Sequence, residues 1–444
     1  MTCLVVHGHF YQPPREEPTT GEIPPEEGAD PYASFNEKIT AECYLPNAAL
    51  GNFDRMSFDI GPTLVSWLAR HAPRTWQRIA ASGGGLAQSY HHTILPLATR
   101  REKELQMAWG RADFEHRFGR RPRGLWLPET AADTETLRVA AEQGFEFTIL
   151  APWQAAVEHL DPFEPYWVEL PGGRRIAACF YHGALSGRLS FDPGASINAD
   201  AFAAHLLAPL RRYSERRHGR RGLVLLATDG ELYGHHQRHR EYFLRHLLRH
   251  AAPDAAFAVT TLESYLDQHP PQRTISLREP TSWSCHHGVL RWAGDCPCSQ
   301  ESGWKAPLRA LLVRVAAALD EVWQREAAAW FDAPEVVLER SVEVVLGVRP
   351  LSRLAAELAP RRLTPKQLTR LRHLIEGQWL RHRMFASCAW FHGRWDRLEV
   401  RNNLAAARAA LARTESVTGT PPAPWFEAEL AALSPACVAQ AVPA

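Results

Sequence analysis

The chain has 444 residues, 45% of them hydrophobic, and a formal net charge of +1. That composition supplies an apolar core for two or three domains and excludes wholesale disorder. The near-neutral charge gives no electrostatic footprint for nucleic acid or an anionic membrane surface. The apolar stretch 3–6 is too short for a signal-peptide core, no window has the length of a membrane span, and the eight Cys are scattered. A soluble, cytoplasmic protein without a disulfide scaffold is therefore expected.

Short apolar runs at 3–6, 56–60, 86–90, 124–127, 145–150, 176–180, 223–227 and 256–259 read as strands. Between several of them lie helical patterns, at 64–80, 100–118 and 133–143. Strands alternating with helices predict βαβ units and a parallel sheet, and seven or eight such strands predict a closed or nearly closed barrel over residues 1–270. Residues 12–35, rich in Pro, Gly, Glu and Thr, form a long loop after the first strand, placed as a rim or lid. The polar, proline-bearing stretch 268–280 reads as a domain boundary. Beyond it, 306–330, 333–346, 351–358, 364–383 and 398–413 predict a helical bundle over 281–415, with Thr364 capping a helix that Pro365 opens. Residues 416–444 are expected to be a loosely ordered tail.

The chemistry-bearing residues cluster at strand ends. Gly124-Leu-Trp-Leu-Pro-Glu129 and Leu223-Val-Leu-Leu-Ala-Thr-Asp-Gly-Glu231 each close a buried run with a carboxylate, at the end of a barrel strand where active sites sit. Two acids, Glu129 and Asp229, are what glycoside cleavage needs, one to attack or stabilise and one to donate a proton. Glu231, two residues beyond Asp229, can face the same cavity and raise its neighbour's pKa by like-charge repulsion. His7 and His9 share one side of the first strand, as metal ligands with Asp229 or His92, or as neutral donors to sugar hydroxyls. His92 ends the third strand, and His235 follows Glu231 in a dense polar run. Trp126 offers a flat apolar face suited to sugar rings, although a core position is the commoner place for any one of the fifteen Trp. The segment from Trp283 to Trp292 is read as folding over the barrel mouth. Cys285, His286, Cys296 and Cys298 raise the question of zinc, but their spacing matches no closed zinc framework. No metal and no cofactor are expected.

Taken in order, these segments resemble glycoside hydrolase family 57, which is recognised by five short regions. The matching runs are His9-Phe-Tyr-Gln12-Pro13, Ala87-Gln-Ser-Tyr-His-His92-Thr-Ile-Leu-Pro-Leu97, Gly124 to Glu129, Asp229 to His235 and, most weakly, Trp283 to Trp292. The resemblance is greatest to the branch with a helical C-terminal domain of unknown function. It implies an incomplete (β/α)7 TIM-like barrel followed by a helical domain contributing to the active-site cleft. It also implies retaining, metal-free chemistry on oligo- or polysaccharide α-glucans, of amylase, glucanotransferase or branching type. Glu129 would be the nucleophile and Asp229 the general acid/base, with carboxyl groups about 5–5.5 Å apart. His7, His9, Gln12, His92, Trp126, Glu231, His235, Trp283 and Trp292 would bind sugar. Ala87-Gln88 stand where several members carry an acid, which bears on the subsites. The alternatives are a metal-dependent carbohydrate deacetylase-like enzyme using His7, His9 and Asp229, and a non-catalytic glycan-binding protein. Nothing in the sequence sets the oligomeric state.

Overall fold

The computed structural model describes residues 1–433. They fall into two compact units. The first comprises Met1–Gln12, Pro24–Ser89 and Arg117–Ser284, and the second Pro13–Ile23, Tyr90–His116 and the chain from Cys285 onward.

The first unit is built on one curled sheet. Its strands are β1 (Cys3–Phe10), β2 (Ser57–Ile60), β3 (Gly85–Gln88), β4 (Gly124–Trp126), β5 (Phe147–Leu150), β6 (Tyr166–Leu170), β7 (Arg174–Phe180), β8 (Leu223–Asp229), β9 (Ala258–Val259) and β10 (Arg273–Thr274). The order is β10-β6-β7-β5-β4-β3-β2-β1-β8, with β9 paired to β1 off this path. The seven strands from β8 through β1 to β7 are all parallel. β6 then runs antiparallel to β7. No ladder joins β7 to β8. Instead His182, just past β7, donates its N–H to the Leu225 carbonyl at 2.7 Å. This is the incomplete (β/α)7 barrel expected from the sequence.

Parallel strands covered on both faces read as continuous apolar runs, and β1 and β8 do so. Alternation sends Cys3 and Val5, with Leu223, Leu225 and Ala227, into one core with Trp126, Phe147, Ile149 and Cys179. His7, His9 and Asp229 continue the same inward-facing rows towards the C-terminal ends. The register sets His9 opposite Asp59 on β2 and opposite Asp229 on β8. Chain-distant polar groups are thus gathered at one end of a rigid sheet.

Several expected elements differ. The helix expected over 64–80 is two, Pro62–His71 and Pro73–Ala80, because Pro73 forces Ala72 out of helical geometry (φ −135°, ψ 51°). The expected strand 256–259 is a two-residue pairing with the start of β1. β6 went unread; its signal is the alternating Tyr-Trp-Val-Glu-Leu run followed by Pro-Gly-Gly, a three-residue hairpin loop in which Gly172 and Gly173 take φ 80° and 70°.

In the second unit the long helices are Arg100–Phe118 (through His116), Lys305–Ala328, Pro365–Arg383 and Leu398–Thr418. The helix at Arg100, expected among the barrel's own, packs Leu105 and Trp109 into a core with Trp323, Leu371 and Trp379. Trp109 and Trp379 stack at 4.1 Å. Thr364 and Gln367 form a capping box at the start of Pro365–Arg383. The tail expectation needs correcting, because the helix Leu398–Thr418 runs into it and a second helix follows. Phe426–Leu433 is helical, with Phe426 and Leu430 buried one turn apart and Glu427 and Glu429 paired to Arg408 and Arg314. The rest of that expectation, 434–444, lies outside the described residues.

Candidate active site

At the C-terminal end of β1 and β2 lies a buried His–Asp–His bridge. Asp59 is fully buried; its Oδ1 lies 2.8 Å from His7 Nε2 and its Oδ2 2.8 Å from His9 Nδ1. His7 Nδ1 reaches Ser57 Oγ at 3.2 Å. Gln88, at the end of β3, donates its amide to Asp59 Oδ2 and to the Phe10 carbonyl. Both imidazoles stack on Trp126, at 4.8 Å and 4.9 Å between ring centres. Burial disfavours charge on His9, but Asp59, with Asp229 and Glu231 adding to it, raises its pKa to about 9. Burial outweighs Asp59 at His7, whose pKa is lowered. Asp59 also resists burial through the two histidines and stays below the ordinary carboxylate range. At neutral pH the bridge therefore holds anionic Asp59, cationic His9 and neutral His7. Both nitrogens of His7 have protein partners, Ser57 and Asp59.

Glu129 follows β4 in a strained turn. It and Thr130 adopt left-handed backbone, φ 57° and 47°, at a cost of about 1–3 kcal/mol each that the surroundings must offset. Gln154 does much of this: it accepts from Thr130 Oγ1 and from the Ala151 N–H and donates to the Thr130 carbonyl, each at 2.8 Å. Ala132 bridges to Thr281, and Trp283 donates its backbone N–H to the Glu129 carbonyl at 3.1 Å. The carboxylate is gripped as well. Oε2 accepts from Trp283 Nε1 and Ser284 Oγ, both at 2.9 Å. Burial raises the Glu129 pKa, with Asp229 adding to the rise, and the two donors hold it back.

Asp229 is the exposed last residue of β8. Gly230 follows because a Cβ there would lie 2.3 Å from the Phe10 ring, and this close approach holds Glu231 turned inward. Glu231 is buried, and its Oε1 accepts from Tyr44 Oη at 2.6 Å and from the Tyr11 N–H at 3.2 Å. Burial and the neighbouring Asp229 push its pKa up to about 7. Because its folded pKa lies above the ordinary 4.5, Glu231 favours folding while protonated and withdraws that support as pH rises from about 4.5 through 7. Glu231→Gln is expected to flatten the loss of stability over this interval, which urea unfolding across pH 5–8 checks.

The remaining expected contacts divide by position. Gln12 is buried and donates to Tyr44 Oη at 3.3 Å. His235 pairs with Glu42 at 2.5 Å. Trp283 is half-buried beside His9 and Trp126. Trp126 and His7 are fully buried; they support the site from beneath and present no face to a sugar. His92 and Trp292 belong to the second unit. There His92 is buried at φ 53° and bonds Ser387 Oγ at 2.7 Å, and Trp292 is a core residue. Asp59, Tyr44 and Ser284 were missed. An acid inside an otherwise apolar strand was the available signal for Asp59; Tyr44 and Ser284 carried none.

Residues 85–278 match the model of glycosyl hydrolase family 57, and residues 300–436 that of a domain of unknown function, DUF3536. No curated protein matches the chain in sequence. Among solved structures, an exo-type maltose-forming amylase from Pyrococcus sp. ST04 shares 13% identity over 96% of this chain and 82% of that one, with a TM-score of 0.79. A family 57 branching enzyme from Thermococcus kodakaraensis shares 14% over 100% and 96%, with 0.65. An α-amylase from Thermotoga maritima shares 13% over 100% and 99%, with 0.57. At these identities the likeness is one of fold. No described helix is long and apolar enough to cross a membrane. Residues 85–278 thus carry a glycosyl hydrolase family 57 segment, followed by a DUF3536 segment, on a fold shared with family 57 enzymes, and the protein is a glycoside hydrolase or glycosyl-transferring enzyme.

Proposed function

We propose that the protein cleaves α-glucans with retention of configuration and passes the glycosyl group to water or to another sugar. The observation that carries this reading is the grip on Glu129. Both donors, Trp283 and Ser284, engage Oε2, which favours the anion and leaves Oε1 to attack the anomeric carbon. Asp229, close enough to raise the pKa of Glu129, would protonate the leaving oxygen and then deprotonate the acceptor, as retaining chemistry requires of the second carboxylate. Cationic His9 would steady the negative charge shared by Asp229 and Glu231 and bind sugar hydroxyls, with Gln12, His235 and Trp283 as further contacts. The α-glucan class rests on the amylase and branching-enzyme names of the similar structures. Hydrolysis and transfer share the glycosyl-enzyme and part only at the acceptor.

The test is incubation with a panel of α-1,4 and α-1,6 glucans, following new reducing ends by proton NMR. The expected first-formed product is the α-anomer, and appearance of a new linkage type would mark transfer. Initial formation of the β-anomer contradicts the proposal, because an inverting enzyme has no covalent intermediate on Glu129.

A further inference from the structure

Cys285, His287, Cys296 and Cys298 lie together inside the second unit, and none of them is assigned to carbohydrate chemistry. Their three Sγ atoms and one imidazole nitrogen all fall within 4.8 Å of one another. Cys285 Sγ is 3.7 Å from Cys296 Sγ, and His287 Nδ1 is 3.6 Å from Cys296 Sγ and 3.3 Å from Cys298 Sγ. A tetrahedron with Zn–S of about 2.3 Å and Zn–N of about 2.0–2.1 Å has S···S edges of about 3.8 Å and S···N edges of about 3.5 Å. These three separations match those edges, and the other three lie within 4.8 Å. They are far longer than a disulfide bond, and all of these Cys are free thiols.

We propose that these four residues bind one structural Zn²⁺ as a Cys3His site. Three thiolates and one imidazole in tetrahedral array select zinc over hard cations that prefer oxygen. Four protein ligands fill the coordination sphere, so the site is structural and not catalytic. Binding releases three thiol protons and leaves a net single negative charge. Cationic Lys305 sits alongside, its Nζ donating to Ser299 Oγ at 3.2 Å and to the Arg291 carbonyl at 2.7 Å. The loop is shaped around the ligands. Ser302 Oγ accepts from the Cys296 N–H at 3.0 Å and donates to Asp295, Arg291 donates to the Cys298 carbonyl at 3.0 Å, and the Ser299 N–H donates to the Cys296 carbonyl at 2.8 Å. Between Cys285 and the helix beginning at Lys305, the regular structure is the single turn Leu290–Ala293. A metal here would fix a segment that has little regular structure of its own. The one-residue spacings Cys-x-His and Cys-x-Cys, with His287 and not His286 as ligand, hid the site from sequence reading.

The test is elemental analysis and zinc X-ray absorption on the full chain purified without chelator. About one zinc per chain in a shell of three sulfurs and one nitrogen is expected. A chelator with a thiol-blocking mercurial should release it and lower Tm. His287→Ala, at an exposed position, should weaken zinc retention while the chain stays folded by circular dichroism. Absence of zinc after growth and dialysis in zinc, a shell of only nitrogen and oxygen, or a Cys285–Cys296 disulfide in freshly purified protein would each overturn the proposal.

Discussion

Glu129→Gln is expected to lower kcat on α-glucan by at least about 10³-fold, the scale on which loss of a covalent nucleophile is felt, while leaving Tm nearly unchanged. The amide oxygen of Gln can still accept from Trp283 and Ser284, so the turn keeps its partners. What it loses is the charge that forms the bond. Glu129→Ala goes further and opens space beside the anomeric carbon. Azide supplied to that variant is expected to restore turnover and yield a glycosyl azide of inverted configuration, because the small anion enters from the face the carboxylate has left. Retention of more than about a tenth of wild-type turnover by Glu129→Gln would remove Glu129 from the chemistry. The donors can be tested through the same residue. They oppose the upward pull of burial on Glu129, so Ser284→Ala should raise its pKa further. The acidic limb of the kcat/KM profile then moves to higher pH, since Glu129 must be ionised to attack. A merely structural role for Ser284 leaves that limb in place.

What the sequence disclosed followed from periodicity. Buried parallel strands are continuous apolar runs, so the seven barrel strands and the acids at their ends could be read directly, Glu129 and Asp229 among them. Contacts between strands were not legible, since they depend on register. Asp59 sits 50 residues from His9, and only the pairing of β1 with β2 sets them opposite each other. Tyr44 reaches Glu231 across 187 residues from a helical segment with no periodic signal pointing inward. Trp126 shows the converse. As a residue it suits a sugar platform, but it shares the inward row of the barrel core and both histidines cover it. Side-chain type suggested the chemistry, and position in the sheet decided which residues meet it.

Asp59→Asn is expected to be the most destabilising single change in the barrel's polar centre, and its cost should depend on pH in a specific way. His9 rises from 6.5 to about 9 on folding, which at about 1.4 kcal/mol per unit corresponds to about 3 kcal/mol of stability drawn from its acidic neighbours. Because the folded value is the higher one, that contribution is full below about pH 6.5 and fades as pH rises through 9. Asp59 is shifted the other way, so its own contribution is present above its ordinary 3.8 and is lost as pH falls through the lower folded value. The two windows overlap between about pH 4 and 6.5. There the variant should lose about 3 kcal/mol against wild type by urea unfolding, and by pH 9.5 the gap should narrow. A loss independent of pH would mean that Asp59 acts by hydrogen bonding and packing alone. The same change reaches the chemistry. Without the Asp59 anion, burial prevails at His9 and its pKa falls. The imidazole is then neutral at pH 7, and the His9-dependent step in the kcat/KM profile, expected near 9 in wild type, should move to lower pH. Coincidence of the stability gap and the kinetic limb on one titrating group would tie the fold's buried bridge to its reactive carboxylates, because both readouts depend on whether His9 carries its proton.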